Sequence, residues 1–212
     1  MSIRFENVSF AYKKVKSPFQ LHNLNFVLNA DEKICIHGKT GAGKTTLFRL
    51  LLRDLAPGEG KIFLDDLVLP KEKNLYKKVS FIFQKPEDQF IFPVINDEFE
   101  FITEDQDNNN ILQNISKLCK LFNVTIENFL DRDLYSVSIG ELRLLQIIFA
   151  LSMQSKYLIL DEPTTFLDHE NQIQFLTHIK KIKDKGVLIL TKHLEIYSSI
   201  VERNISLISL QS

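Results

Sequence analysis

The chain has 212 residues, 44% of them hydrophobic and 25% charged, proportions that exclude a disordered tail, a collagen-like fibre or a small disulfide knot. Lys and Arg number 26 against 27 Asp and Glu, a formal charge of −1, so no global basic field draws the protein to nucleic acid or anionic lipid. The longest apolar stretches, such as 147–151, fall far short of the ~20 residues that span a bilayer. The N-terminus opens with Arg4 and Glu6 rather than an apolar signal core. Cys35 and Cys119 cannot make a disulfide framework and lack metal-ligand spacing, so both are expected as small core residues in a reducing cytosol.

Residues 2–12 alternate apolar and polar, and 20–29 do so more loosely, which predicts half-buried antiparallel strands. From Lys33 on, short apolar runs at 34–36, 79–83, 158–160 and 187–190 alternate with helical-period segments at 44–55, 111–122, 139–154 and 170–183. That pattern predicts an α/β fold with a mostly parallel, buried core sheet behind an N-terminal antiparallel β region. Pro57-Gly58-Glu59-Gly60 reads as a turn before a short strand at 61–64, Asp107-Asn108-Asn109-Asn110 as a loop preceding a helix, and 204–210 as a final strand.

Glycine is scarce, seven in all, yet three fall at 38, 41 and 43. Residues 38–45 read GKTGAGKT, which fits G-x-x-x-x-G-K-[ST] between an apolar run and a helix, the context of a phosphate-binding loop. Gly38, Lys39, Thr40, Gly41, Ala42 and Gly43 would turn backbone N–H groups inward around phosphates, with Thr46 opening the helix behind them. Lys44 would reach the β and γ oxygens and the Thr45 hydroxyl would take a place on Mg²⁺. Residues 157–162, YLILDE, are a buried-strand pattern ending in adjacent carboxylates, which must lie at the strand's carboxyl edge because burying both is costly. Asp161 would hold Mg²⁺ through its water shell, and Glu162 would polarise the attacking water. Two further apolar runs end in Gln84 and in Thr191-Lys192-His193, so four strand ends are expected to converge on one sheet edge.

The loop GKTGAGKT, the strand YLILDEP, the following Thr164-Thr165-Phe166-Leu167-Asp168, Gln84 and His193 resemble, in order and spacing, the Walker A, Walker B, D-loop, Q-loop and switch histidine of an ABC-type ATPase. The resemblance covers almost the whole chain. It implies a P-loop cassette as a single domain over 1–212, with an ATP-binding core at 1–87 and 156–212 and an inserted helical subdomain at about 88–155. It also implies Tyr12 stacking on adenine, Gln84 sensing metal and water, His193 contacting the γ-phosphate, and two cassettes sandwiching two ATP molecules.

Within that family, FQKPEDQF at 83–90, followed by Ile95-Asn96-Asp97-Glu98-Phe99-Glu100-Phe101, is similar to cassettes of energy-coupling factor importers, which serve vitamins and transition-metal ions. Ile102 stands where Gly is usual. Six acidic residues lie between Asp97 and Asp107 with no basic one. They suit either a partner presenting arginines or a solvated acidic loop. The signature departs further: LSGGQ is usual, and the chain reads Val137-Ser138-Ile139-Gly140-Glu141. Ser138-x-x-Glu141 before an apolar-periodic helix is a capping box. Ser138 and Gly140 can still serve a partner's γ-phosphate, whereas Ile139 adds bulk and Glu141 brings a negative charge unless it folds back onto its own cap. Leu144 stands where an arginine or lysine is usual, with Arg143 beside it.

The resemblance implies an ATP-hydrolysing, Mg²⁺-dependent subunit, cytoplasmic and peripheral on the inner face of the plasma membrane. Its expected partners are a second, different cassette, a transmembrane coupling subunit and a substrate-binding membrane protein, with no nucleic acid. Such cassettes commonly carry a C-terminal extension; this sequence stops at Ser212, so pairing is expected to rest on ATP and the membrane subunits. The rival expectations are a lipoprotein-release or cell-division cassette, which shares every catalytic motif, and an ABC ATPase acting on ribosomes or DNA, which carries tandem cassettes or a long coiled coil absent here.

Overall fold

Alternating and unbroken apolar patterns produce two different sheets in the computed structural model, which describes residues 1–12, 20–69, 73–104, 108–208 and 210. In chain order the elements are β1 Ser2–Ala11, β2 Gln20–Asn29, β3 Lys33–His37, α1 Lys44–Leu51, β4 Glu59–Leu64, β5 Leu67–Val68, α2 Lys73–Tyr76, β6 Val79–Ile82, α3 Ile95–Glu104, α4 Asn108–Leu121, α5 Ile139–Ser152, β7 Tyr157–Asp161, α6 His169–Lys181, β8 Gly186–Thr191, α7 Leu194–Tyr197 and β9 Arg203–Ser206. They fall into two compact units. One comprises 1–79, 155–162 and 182–212, the other 80–154 and 163–181.

The first unit holds an antiparallel sheet in the order β2-β1-β4-β5. Ile3 pairs with Leu28 on one side and Leu64 on the other, and Phe5 with Phe26 and Ile62. Those period-2 apolar positions are buried, and Phe5 stacks on Phe26 at 4.5 Å. The ladder slips between Phe5 and Val8, where Asn7 adopts a left-handed φ of 51°. Gly60 faces that bulge at φ +74°, and a Cβ there would run into the Asn7 carbonyl, so glycine is required.

Four parallel strands of the same unit follow the order β7-β8-β3-β9. Ile34 pairs with Leu188, Ile36 with Leu190, Leu158 with Val187 and Cys35 with Asn204. Ile34, Cys35 and Ile36 are wholly buried, as are Leu158–Leu160 and Val187–Leu190, which is why these strands read as continuous apolar runs. Burial and the neighbouring Glu162 carboxylate push the Cys35 thiol up to about 12, so it stays protonated and inert.

Several boundaries differ from the expected ones. Helix α1 starts at Lys44 inside the glycine motif and stops at Leu51, because Arg53 turns left-handed at φ 63° and Arg49 pairs with Asp54 at 2.6 Å. The last strand is shorter than 204–210, ending at Ser206. The expected Asn-rich loop is instead the start of α4 from Asn108; Asp107 lies outside the described residues.

In the second unit, α4 packs against α5, with Ile111, Ile115 and Leu118 buried along it and Phe122 buried just past its end. Helix α5 is buried almost throughout from Leu142 to Ser152. The acidic stretch read as a loop or docking run is helix α3, with Asp97 and Glu98 in its first turn, where carboxylates complement the N-terminal dipole. Asp105 and Asp107, and the side chain of Glu104, lie outside the described residues.

Glu98 is 6% exposed and accepts the backbone N–H groups of Ile91 at 2.8 Å and Phe92 at 3.2 Å. It is a staple for the preceding loop, which removes it from the set of carboxylates open to a basic partner. Desolvation outweighs those two bonds and holds its carboxyl above the ordinary range. A raised folded-state value favours the protonated form, so that contribution to stability is complete below the ordinary carboxylate value and is lost as pH rises through the raised one. Glu98→Gln, which can still accept both N–H groups, is expected to leave neutral-pH stability unchanged or higher. Glu98→Ala, which orphans them, should cost about 1–3 kcal/mol. Thermal melts at neutral and mildly acidic pH check this; an Ala variant as stable as the Gln variant would remove the staple.

Candidate functional site

Strand β3 runs directly into the loop 38–43, and α1 starts where the loop ends. The loop is built by its glycines. Gly43 caps α1 at φ 108° and Gly41 sits at φ 82°, conformations that side chains resist. A Cβ at Gly38 would stand 3.0 Å from that of Ala42. The Ala42 N–H donates to the Lys39 carbonyl at 3.1 Å and the Gly38 N–H to the Thr191 carbonyl at 3.2 Å, which ties the loop to the end of β8. Lys44 is 8% exposed. Its Nζ donates to the carbonyls of Gly38 at 2.7 Å and Lys39 at 3.3 Å, so the ammonium lies folded along the loop. Lys39, Thr40 and Thr45 are exposed, and Thr46 is buried.

Strand β7 brings Asp161 to this loop. Its carboxylate, 2% exposed, accepts the Thr45 hydroxyl at 3.4 Å. Hard oxygen donors at that looseness fit Mg²⁺, which keeps several waters and takes one or two protein oxygens. The next residue, Glu162, sits at φ 47° and is 6% exposed. Its N–H donates to the Leu190 carbonyl at 2.9 Å. Its carboxylate accepts the Thr191 hydroxyl at 2.8 Å on Oε2 and the Lys192 N–H at 2.8 Å on Oε1. Thr191, itself wholly buried, also accepts the His193 N–H at 3.0 Å. A left-handed carboxylate residue gripped at both oxygens is a fixed element, not a fraying strand end.

His193 is half exposed, and its Nδ1 meets Glu195 Oε1 at 3.1 Å. The Glu195 carboxyl is held below its ordinary range, first by its own backbone N–H and then by His193. Tyr12 is anchored from two sides: its hydroxyl lies 3.4 Å from Thr46 Oγ1, and its ring makes an edge contact with Phe10 at 4.9 Å. The first unit thus gathers Tyr12, the loop 38–46, Asp161, Glu162 and His193. The grip of Thr191 and Lys192 on Glu162 was not anticipated; only the ladder between β7 and β8 makes it visible.

Gln84, Ser138 and Gly140 belong to the second unit. Gln84 follows β6. Ser138 is the N-cap of α5, and the expected capping box is formed. Glu141 does fold back: its Oε2 accepts the Ser138 hydroxyl at 2.6 Å and the Ser138 N–H at 3.0 Å, and those bonds hold its carboxyl below the ordinary range. Gly140 packs closely, its missing Cβ only 3.3 Å from the Phe166 carbonyl, while Ile139 is 41% exposed. Arg143 is wholly buried, a placement no periodicity signalled.

A family model described as ABC transporter matches residues 21–165. Among curated proteins, a putative ABC transporter ATP-binding protein of Methanosarcina acetivorans is 32% identical over 90% of this chain and 68% of its own length. The energy-coupling factor transporter ATP-binding protein EcfA2 of Clostridium acetobutylicum is 31% identical over 91% of this chain and 71% of its own. Among solved structures, a dimeric ATP-binding cassette in a post-hydrolysis state with ADP and Pi superposes with a TM-score of 0.80 at 21% identity, covering 96% of this chain and 93% of that one. The cbiO1 structure from Clostridium perfringens, part of the ABC transporter complex cbiONQ, superposes with a TM-score of 0.73 at 22% identity, covering 96% and 83%.

Proposed function

The chain belongs to the ABC transporter family as an ATP-binding, ATP-hydrolysing subunit, and from that premise we propose that it powers an importer of energy-coupling factor type for a vitamin or a transition-metal ion. The observation that carries the catalytic part is the meeting of loop 38–46 with Asp161 and the doubly held Glu162. The importer type is supported by the segment 83–101 and by the similarity to EcfA2.

In this reading Tyr12 offers its ring to adenine. The loop N–H groups of 38–43 receive the phosphates, and Lys44 exchanges its two carbonyl partners for phosphate oxygens. Thr45 and Asp161 would hold Mg²⁺, which would supply positive charge to the phosphates, and Gln84 takes the metal- and water-sensing role that the family resemblance gives it. Glu162 takes the proton of the attacking water, its carboxylate aimed by Thr191 and the Lys192 N–H. His193, with Nδ1 engaged by Glu195, has Nε2 for a γ-phosphate oxygen. Ser138 and Gly140 at the start of α5 are lent to the nucleotide of a second, different cassette. The 1–212 cassette, with its helical subdomain at about 88–155, docks on a transmembrane coupling subunit and a substrate-binding membrane protein, at the cytoplasmic face of the membrane. No helix among the described residues is long and apolar enough to cross it.

Docking tests the importer type. Asp97 and Glu100 are exposed on α3, beside exposed Ile91 and Phe101, and offer charge and apolar surface to a basic coupling helix. Asp97→Asn with Glu100→Gln is expected to reduce recovery of the complex with energy-coupling factor membrane subunits in pull-downs, more visibly at low salt. ATPase activity of the chain itself should hardly change. Equal recovery would favour a merely solvated acidic face, and failure of the unaltered chain to capture those subunits would overturn the importer type.

A further inference from the structure

Arg143 lies on the first turns of α5, shortly after Ser138 and Gly140, and is wholly shielded from solvent. A guanidinium is among the costliest groups to bury, and an apolar side chain of similar volume commonly packs as well or better. Its hydrogen bonds show what it holds. One terminal nitrogen donates to the Phe83 carbonyl at 2.8 Å and to Gln146 Oε1 at 2.6 Å. The other donates to the Gln84 carbonyl. Gln146 reinforces the same spot, donating to the Phe83 carbonyl at 3.2 Å and to Gln89 Oε1 at 2.8 Å, and Gln89 Oε1 accepts the Phe83 N–H at 3.1 Å. The guanidinium carbon also lies 5.8 Å from the centre of the Phe166 ring, whose backbone is left-handed at φ 70°.

Two successive peptide planes, those whose carbonyls belong to Phe83 and Gln84, are therefore fixed by one planar fork. Fixing both planes sets the backbone dihedrals at Gln84 and with them the direction in which its side chain leaves the chain. We propose that Arg143 is a positioning residue for ATP hydrolysis: it locks the Gln84 backbone to α5, so that the Gln84 side chain leaves the chain in one fixed direction. This rests on the role given to Gln84 above.

Lysine retains the charge but cannot present two coplanar donors. Arg143→Lys, assayed in the assembled ATPase, is expected to lower kcat about tenfold, as misplacing a reacting group does. The KM for ATP should stay within about twofold and the Mg²⁺ concentration for half-activation should rise, because Gln84, not the loop 38–46, is disturbed. Arg143→Gln, which can still reach one carbonyl, should recover part of the loss. The decisive measurement is the double variant: in a Gln84→Ala background, Arg143→Lys should cost nothing further. Multiplying losses, an unchanged kcat in the single variant, or a KM that rises as kcat falls would each overturn the proposal. Melting curves identify a variant that fails to fold, and loss of folding in both the Lys and Gln variants would assign Arg143 to stability alone and overturn it as well. Gln84→Ala without effect on an active wild type would instead refute the role of Gln84, and this inference with it. A wild-type assembly without ATPase activity would point to the catalytic reading itself.

Discussion

Glu162→Gln is expected to lower ATP hydrolysis by about 10²–10⁴-fold while ATP binding survives. The amide keeps the shape of the side chain, tolerates the same left-handed backbone, and can still engage the Lys192 N–H and the Thr191 hydroxyl that hold the carboxylate at 2.8 Å each. What disappears is the ability to take a proton from water. Lys44→Ala is the contrasting variant: it removes the cation aimed at the phosphates and should weaken nucleotide binding itself. Affinities for a fluorescent ATP analogue separate the two behaviours, and unchanged turnover in Glu162→Gln would refute the assignment of the base.

Restoring the signature is expected to raise the activity of the chain on its own by about tenfold to a hundredfold, the worth of one hydrogen bond to a charged phosphate. The Ser138 hydroxyl and N–H, the donors a partner's nucleotide would use, are both spent on Glu141, whose charge would also repel phosphate. Ile139→Gly with Glu141→Gln removes bulk and charge, and Gln at that position still completes a capping box. A pair of identical chains would carry the defect in both sites. A pair with a partner bearing an intact LSGGQ would carry it in one, leaving the site built on Lys44 and Glu162 fully equipped. Turnover of the wild-type chain alone, the restored chain alone and the wild-type chain with such a partner measures this. A wild-type chain that alone forms an ATP-dependent dimer hydrolysing as fast as the restored variant would refute the asymmetry.

Features that depend on near neighbours in sequence were legible before the structure. The loop 38–45, the carboxylates closing β7 and the capping box at Ser138 each need only a few consecutive residues and lie at their expected places in the chain. Asp161 and Glu162, however, are both buried rather than left to solvent, hydrogen bonds from Thr45, Thr191 and Lys192 offsetting the cost. Features decided by distant packing were not. The burial of Glu98 depends on a loop turning its N–H groups toward α3, and acidic composition concealed that helix although Ile95, Phe99 and Ile102 carry its period. The burial of Arg143 depends on carbonyls about sixty positions upstream, and the grip on Glu162 on residues about thirty positions downstream.

The strand order β7-β8-β3-β9 has a consequence for synthesis of the chain. The antiparallel sheet pairs segments that all lie within residues 2–68, so it can assemble while the ribosome is still working. Strand β3 cannot: its neighbours are β8 and β9, and Ile34 meets Leu188 and Arg203 only after some 150 further residues have been added. The strand that feeds the phosphate loop, with its apolar run Ile34-Cys35-Ile36, therefore waits unpaired through most of translation, in the interval when exposed strand edges are most prone to aggregate.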